Sequence, residues 1–261
     1  MCYAVNSVRT PTTHAYITAF AKYAQSEIYY LNVTGGVQPD VELDQFDAVF
    51  ISYCARLCIS NYVSQGFLRK VSEFKGVTAV SIQDEYDSVN KELEALDFIG
   101  PDIVFTCIPE TQRNAIYPNS RYPKTEFIQV LTGYHEPLKY NDVLRPIADR
   151  EVDIGYRGRQ IGIRYGLLAC QKVGIAHAFR DKAEFKGFRT DISVNDSDRI
   201  YGIEWFRWLA NCKAVLGSPS GSNIFDFDGS IAEACNNVSE PDEKTLTKIR
   251  RLDEQYSMGQ I

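Results

Sequence analysis

The sequence predicts an α/β protein made of two successive units, each with a parallel sheet and flanking helices. Short apolar segments alternate with segments of helical periodicity along most of the 261 residues. The segment 46–53 is a nearly continuous apolar run, which is typical of a strand covered on both faces. Strands that alternate with helices imply parallel pairing through right-handed crossovers.

The first half of the chain carries six predicted strands, at 2–6, 27–33, 46–53, 76–82, 102–107 and 125–132. A first helix begins at Pro11, because proline is favoured at the start of a helix and an apolar face with Ile17 and Phe20 follows. Helical spacing predicts further helices at 62–74 and 87–96. This half is therefore expected to form a complete α/β unit.

The second half repeats the pattern with fewer strands. The segment 133–149 has the composition of a linker, and we place the domain boundary there, between domains 1–147 and 148–261. Beyond it we expect strands at 153–156, 191–194 and 213–216, and helices at 161–178, 203–211 and 241–255. A doubly wound sheet usually has about five or six strands. The second unit is therefore expected to be incomplete, either because its C-terminal part is unusual or because the chain stops early.

Composition excludes several classes of protein. The formal net charge of −6 argues against a partner that is duplex nucleic acid. The sequence contains no apolar run long enough to cross a membrane, and residues 1–13 do not resemble a secretory signal. The seven cysteines are scattered, and Cys54-x-x-x-Cys58 lacks the second pair that a zinc site needs. We therefore expect reduced cysteines and a cytoplasmic location, with the inner membrane surface as an alternative.

Two predicted strands of the second half end in loops that suit a phosphate group. The first loop contains Arg157, Gly158 and Arg159, and the second contains Gly217, Ser218, Ser220, Gly221 and Ser222. Such loops direct backbone N–H groups at an anion, and arginine adds a forked donor for diphosphate oxygens. Each loop is alternatively an ordinary turn with solvated side chains. We interpret the pair as the binding site for a nucleotide sugar.

Three segments resemble bacterial glycosyltransferases of the two-Rossmann-domain (GT-B) type, in the group similar to family 1. They are DIGYRGR at 153–159, DRIYG at 198–202 with Trp205, and GSPSGSNIFDFDG at 217–229. The first half is also similar, at Thr12–His14, 47–53 and 83–86. The resemblance implies two Rossmann-like domains with a cleft, a nucleotide-sugar donor on the C-terminal domain, and a glycan or lipid-linked acceptor on the N-terminal domain. It implies no cofactor besides that donor substrate.

The chain departs from the family pattern after Gly229, where such proteins continue to an acidic residue that holds the donor. The first hypothesis is still transfer of a sugar to a hydroxyl acceptor in cell-surface glycan synthesis. A second hypothesis is a truncated, catalytically inactive relative that acts as a binding or scaffold protein. The oligomeric state is left open.

Candidate residues for the remaining chemistry are few. His14, at the head of the first helix, is the candidate general base for an acceptor hydroxyl, with a surface or capping role as its alternative. Asp84 and Glu85 either bind the acceptor or cap the next helix. Asp226 and Asp228 form a D-x-D pair that suggests a divalent metal site, as a weaker third hypothesis. We otherwise expect no metal.

Overall fold

The chain divides into two compact units, described here separately. The computed structural model describes residues 1–8, 10–35, 39–131, 133–134, 136, 143–219, 221–222, 224–235 and 243–256. The first unit contains residues 1–136 together with 225–230, and the second contains 137–224 and 231–260, as far as these are described. The division at residue 147 stays a prediction, whereas the return of 225–230 to the first unit was not foreseen.

The first unit is built on a six-stranded parallel sheet, as predicted. Its strands are β1 (Cys2–Tyr3), β2 (Leu31–Asn32), β3 (Ala48–Ile51), β4 (Val77–Ser81), β5 (Ile103–Thr106) and β6 (Glu126–Gln129). The strand order is β2-β1-β3-β4-β5-β6, and every neighbouring pair is parallel. This confirms the α/β class, and the reversal beside β1 makes a doubly wound sheet, which is consistent with a Rossmann-like fold.

Strand β1 is shorter than the predicted segment 2–6, because a 3₁₀ turn (Val5–Ser7) follows it directly. Side chains of the neighbouring segment explain this early end. The Val5 N–H donates to the Thr34 hydroxyl at 3.0 Å rather than to a strand carbonyl. The Thr34 hydroxyl in turn donates to the Asn32 amide oxygen at 2.6 Å. Polar side chains thus replace the sheet ladder where the predicted strand would have continued.

Among the described residues of this unit, four α-helices connect the strands: α1 (Pro11–Tyr23), α2 (Gln65–Glu73), α3 (Val89–Ile99) and α4 (Glu110–Ile116). Hydroxyl side chains begin two of them, since Thr10 accepts from the Thr13 N–H and Ser64 accepts from the Phe67 N–H. Helix α4 was not predicted. Its seven residues bury only Ile116, so no apolar periodicity marks it in the sequence.

The sheet is covered on both faces, as the apolar run at 46–53 predicted. Val49 and Ile51 are buried within β3, while Phe50 between them points to the opposite face. The Phe50 ring lies 4.9 Å from Phe20 of α1 and 5.9 Å from Phe105 of β5, measured between ring centroids. Helix α1 therefore packs on the Phe50 face of the sheet.

Residues 225–230, which we call the return segment, complete the first unit at the N-terminus of α3. The Asp226 N–H donates to the Tyr86 carbonyl at 2.9 Å. The carbonyls of Asp226 and Phe227 accept from the N–H groups of Val89 and Asn90, the first two residues of α3, at 3.1 and 2.9 Å. Phe225 is 1% exposed. A distant part of the chain thus satisfies helix donors that a local cap usually satisfies.

The second unit holds the three predicted strands in a parallel sheet: β7 (Val152–Arg157), β8 (Thr190–Ser193) and β9 (Cys212–Val215), in the order β8-β7-β9. Its helices are α5 (Leu167–Phe185), α6 (Ile203–Asn211), α7 (Ser230–Cys235, whose first residue belongs to the return segment) and α8 (Glu243–Tyr256). Helix α5 begins later than predicted, because a 3₁₀ turn (Ile163–Tyr165) and Gly166, with φ of 75°, precede it.

Gly155 lies at the centre of the second sheet, where the strands and α6 leave no room for a side chain. A Cβ atom at this position would lie 2.5 Å from the Cys212 sulfur and 2.8 Å from the Trp208 ring. The glycine lets the indole of α6 pack directly on the backbone of β7. This contact anchors α6 to the central strand.

Candidate functional site

The topology of each sheet defines one switch point, where the connections leave in opposite directions along the sheet. In the first unit it lies between β1 and β3, and in the second between β7 and β9. Open α/β sheets bind their ligands at the carboxyl ends of the strands beside such a point. The loops after β7 and β9 are the two that the sequence predicts to bind phosphate.

The structure brings these two loops of the second unit together at Tyr156. The Tyr156 hydroxyl donates to the Lys172 carbonyl of α5 at 2.9 Å and lies 3.0 Å from the Ser218 hydroxyl. Because the single phenolic proton goes to the carbonyl, Ser218 is the donor in the second bond. Gly158 lies against the same ring, and a Cβ there would be 2.7 Å from it. Tyr156 thus joins the loop after β7, the loop after β9 and α5.

Two cationic residues adjoin this junction, since Lys172 supplies the carbonyl that Tyr156 bonds and Arg159 follows Gly158. Arg159 is exposed in the loop after β7, and Lys172 is half-buried on α5. Burial lowers the pKa of the Lys172 ammonium, and the positive charge of Arg159 lowers it further. The two cations are therefore close enough to repel each other, and a bound anion would relieve that repulsion.

Arg157, by contrast, is engaged within the fold. Its guanidinium pairs with the Asp191 carboxylate at 2.7 Å and donates to the carbonyls of Tyr156 and Asp191. It also lies over the Trp208 ring at 4.9 Å, while the Trp208 indole N–H donates to Asp191. These contacts tie β7, β8 and α6 together. This differs from the expectation that both arginines of the loop grip a diphosphate.

The remaining predicted residues of the second loop have mixed positions. Ser222 is buried, and its hydroxyl bonds both the N–H and the carbonyl of Ile224 at 3.0 Å, so it serves a local turn. Gly221 has φ of 88°, which favours glycine. Ser220 lies outside the described residues. Ser218 is therefore the hydroxyl of this loop with a clear place beside the switch point.

A groove of about 540 Å³ opens beside Ser218. One face of α5, from Leu167 to Ala178, forms one wall, and Gly217–Pro219 and Arg250 of α8 complete the lining. Gly174 lies in the α5 wall, and a Cβ atom there would meet nothing within 4 Å. The groove is mostly apolar and has the volume of a small-molecule site.

In the first unit, the two predicted carboxylates of the turn after β4 differ in their exposure to solvent. Glu85 is 7% exposed, and its carboxylate accepts from the hydroxyls of Thr106 and Tyr117 and from the Cys107 N–H. Burial raises the pKa of Glu85, although these donors oppose the rise. Such a fully bonded carboxylate joins β4 to β5 and α4, which differs from the acceptor-binding role expected for it.

Asp84 is the more accessible of the two. It is half-buried, has φ of 58°, and accepts from the Tyr86 hydroxyl at 2.9 Å. Non-glycine residues with positive φ are uncommon and concentrate at functional sites. The alternative that this turn caps α3 is wrong. The N-cap residue is Ser88, without a side-chain cap bond, and the return segment accepts from the first helix donors instead.

His14 lies exposed near the start of α1, which follows β1 of the switch point. Its backbone N–H donates to the Thr10 carbonyl. No hydrogen bond among the described residues joins His14 to Asp84 or Glu85. The structure therefore leaves His14 accessible to a ligand.

Asp226 and Asp228 each accept a hydrogen bond from a backbone N–H of the turn that follows them. Asp226 accepts from Gly229 at 2.9 Å, and Asp228 accepts from Ser230 at 3.0 Å. Asp226 is 7% exposed, whereas Asp228 is exposed. In the part of the chain that the structure describes, no group of three or more His, Cys, Asp or Glu side chains is arranged to hold a metal ion.

Sequence reasoning missed two polar residues in the first unit, Arg56 after β3 and Glu92 on α3. Glu92 is 5% exposed, and its carboxylate accepts from the Cys58 N–H at 3.0 Å. Its position three residues after Val89 and four before Leu96 places it on the buried face of the helix. That spacing was the available signal, whereas nothing in the sequence marked Arg56.

Comparison with known proteins yields no relative. No protein-family model matches the chain, no curated protein is significantly similar in sequence, and no solved structure matches its fold significantly. None of the described helices has the length and apolar character needed to traverse a lipid bilayer.

Proposed function

We propose that this protein binds a nucleotide sugar at the loops after β7 and β9 and transfers the sugar to a hydroxyl acceptor, as a glycosyltransferase of GT-B-like design. One observation carries the proposal. The two loops that suit a phosphate meet at Tyr156, beside two neighbouring cations and a groove of nucleoside-compatible size. The motifs at 153–159 and 217–229 resemble segments of such enzymes, and this resemblance is the reason for proposing sugar transfer as the reaction.

The diphosphate of the donor is assigned to Arg159, Lys172 and the Ser218 hydroxyl. A glycosyl donor breaks its bond between the anomeric carbon and the diphosphate, which leaves with increasing negative charge. Cations that are already in place stabilise that charge as it develops. Because Arg157 is bound to Asp191, Arg159 supplies the guanidinium of this loop.

The nucleoside is assigned to the groove between α5 and Gly217–Pro219. Its apolar wall suits the face of a base, and Arg250 supplies a polar group at the rim. The acceptor is assigned to the carboxyl edge of the first sheet. There Asp84 offers a carboxylate, and His14 is the candidate base that takes the proton of the acceptor hydroxyl.

Titration calorimetry with UDP and GDP tests the donor site. Wild-type protein should release or absorb heat with at least one of them. Arg159→Gln should weaken binding about tenfold, which corresponds to about 1.4 kcal/mol for a charge-assisted contact. Arg207→Gln removes an exposed arginine of α6 and serves as the matched control. If neither nucleotide produces heat with protein shown to be folded, the proposal fails.

The groove is tested by a pair of substitutions at one position. Gly174→Leu should fill the groove and abolish nucleotide binding, while Gly174→Ala should leave binding within about twofold because the added methyl group meets no neighbour. Both should keep the protein folded, since glycine is the poorer helix former. Equal affinity for all three proteins would place the nucleoside elsewhere.

A second candidate function is nucleotide binding without transfer. It is favoured by the engagement of Glu85 and Arg157, two residues expected at the reacting groups, in hydrogen bonds of the fold. A turnover assay separates the two functions. Nucleotide binding accompanied by neither transfer nor hydrolysis of the sugar nucleotide would favour the binding protein.

A further inference from the structure

A small polar cavity lies in the first unit at the carboxyl ends of β3 and β4. Its volume is about 10 Å³, which is the space that one water molecule occupies. Buried side chains, including Ser81, Ile82 and Glu92, line it together with the half-buried Tyr53, Arg56 and Gln83. A cavity with this lining can take one hydroxyl group of a larger ligand.

Arg56 lines this cavity and carries a buried donor that is left unmatched. Its terminal nitrogen pairs with the Asp87 carboxylate at 3.3 Å, which holds the guanidinium in place. Its Nε–H is buried and has no hydrogen-bond partner among the described residues. A buried donor without a partner is destabilising, so an acceptor atom that reaches it is bound favourably.

Glu92 provides the second polar group. One oxygen of its carboxyl group accepts from the Cys58 N–H, and the side chain is almost completely buried. Burial raises its pKa to about 7, so the carboxyl group is present in both protonated and ionised forms near neutral pH. It can therefore either accept a hydrogen bond from a ligand hydroxyl or donate one to it.

The charges around the cavity favour a neutral ligand. One guanidinium, that of Arg56, lies among the carboxyl groups of Asp84, Asp87 and Glu92. An anionic ligand would meet more negative than positive charge there. A neutral sugar or polyol has hydroxyl groups that both donate and accept, as this lining requires.

We propose that the cavity is a recognition subsite for one hydroxyl of a neutral, hydroxyl-rich ligand, held by the Arg56 Nε–H and the Glu92 carboxyl group. Tyr53 and Gln83 contact the part of the ligand outside the cavity. As a subsite for the acceptor this assignment rests on the proposed function, and it names the acceptor as an uncharged sugar. Arg56 is then a residue that determines acceptor specificity.

Saturation-transfer NMR with free sugars tests the subsite. The probes are glucose, galactose, mannose and N-acetylglucosamine, each at millimolar concentration, with glucuronate as an anionic comparison. We expect transfer from the wild-type protein to at least one neutral sugar. Arg56→Lys keeps the charge but removes the Nε–H, and it should reduce the transfer at least fivefold. Arg69→Lys makes the same exchange at an exposed position of α2 and should leave the transfer unchanged.

Gln83→Leu changes a half-buried residue at the rim of the cavity and is the second variant. It tests the same loss of saturation transfer if Arg56→Lys fails to fold. The proposal would be overturned if saturation transfer reached no neutral sugar, or reached glucuronate alone. It would also be overturned if the folded variants showed the same saturation transfer as the wild-type protein. Titration of the same samples with UDP and GDP separates it from the proposed function. Nucleotide binding without sugar binding refutes the subsite alone, whereas sugar binding without nucleotide binding refutes the donor site alone.

Discussion

The buried carboxyl group of Glu92 makes the stability of the protein depend on pH, and Glu92→Gln should remove the contribution of this group. Burial raises the pKa of Glu92 from an ordinary value of 4.5 to about 7. Between these values the folded protein holds a proton that the unfolded chain has released. The free energy of unfolding therefore falls as pH rises from 4.5 to 7, because the folded state must give up this proton.

The size of the effect follows from the two pKa values. Each pH unit between them is worth about 1.4 kcal/mol, so the contribution of Glu92 is about 3 kcal/mol at low pH and is lost above pH 7. The charge of Arg56 lowers the pKa of Glu92 and that of Glu85 raises it, while hydrogen bonds from Cys58 also lower it. The amide that Glu92→Gln introduces is neutral at every pH, and its oxygen can still accept from the Cys58 N–H.

Urea unfolding at pH 5 and pH 8 measures this prediction. Relative to wild type, Glu92→Gln should gain about 2–3 kcal/mol of stability on going from pH 5 to pH 8. Glu94→Gln, at an exposed position of the same helix, measures the general effect of removing a carboxylate from α3. If the difference between Glu92→Gln and wild type were the same at both pH values, the buried carboxyl group would have no raised pKa.

Three further predictions concern packing and hydrogen bonding, and urea unfolding measures each of them. Gly155→Ala should destabilise the protein by about 1–3 kcal/mol through overpacking. Gly174→Ala in α5 should instead stabilise it by about 0.5–1 kcal/mol. Equal effects of the two substitutions on stability would contradict the tight packing at the centre of the second sheet. Tyr117→Phe should cost about 1–3 kcal/mol, because it removes a donor to the buried Glu85 carboxylate, and a neutral result would mean that this bond contributes nothing. Phe225→Ala should cost about 3–5 kcal/mol and also accelerate amide exchange at the N-terminus of α3, and unchanged exchange would show that the return segment is not needed there.

The strands and their parallel pairing were within reach of sequence reasoning, because both depend on repeated local patterns, whereas the strand order was not predicted. Nearly continuous apolar runs such as 46–53 predict buried parallel strands, and the structure places all nine predicted strands in two parallel sheets. Boundaries were less predictable where side chains replace backbone partners. The Thr34 hydroxyl ends β1 by taking the Val5 N–H, and no apolar pattern records such a contact.

The candidate site was predictable at the level of loops but not of side chains. The loops of Gly158 and Ser218 were assigned to one binding site because each follows a predicted strand, and the structure joins them through Tyr156. The same reasoning could not separate Arg157 from Arg159. Only the register that places Asp191 next to β7, and the indole of Trp208 above it, assigns Arg157 to the fold.

The return segment belongs to the first unit because hydrogen bonds join it to α3, although the two are far apart in sequence. Val89 is 1% exposed, and its N–H group is bonded to the Asp226 carbonyl, with that of Asn90 bonded to Phe227. Without residues 225–230, the first two donors of α3 would lose these partners, and an unpaired buried donor such as the Val89 N–H costs about 1–3 kcal/mol. In the same segment, the backbone of Asp226 forms an isolated parallel β-bridge with that of Asp87. The Asp87 side chain is the one that pairs with Arg56. The geometry of the cavity at Arg56 therefore depends on residues that lie more than half the chain length away in sequence.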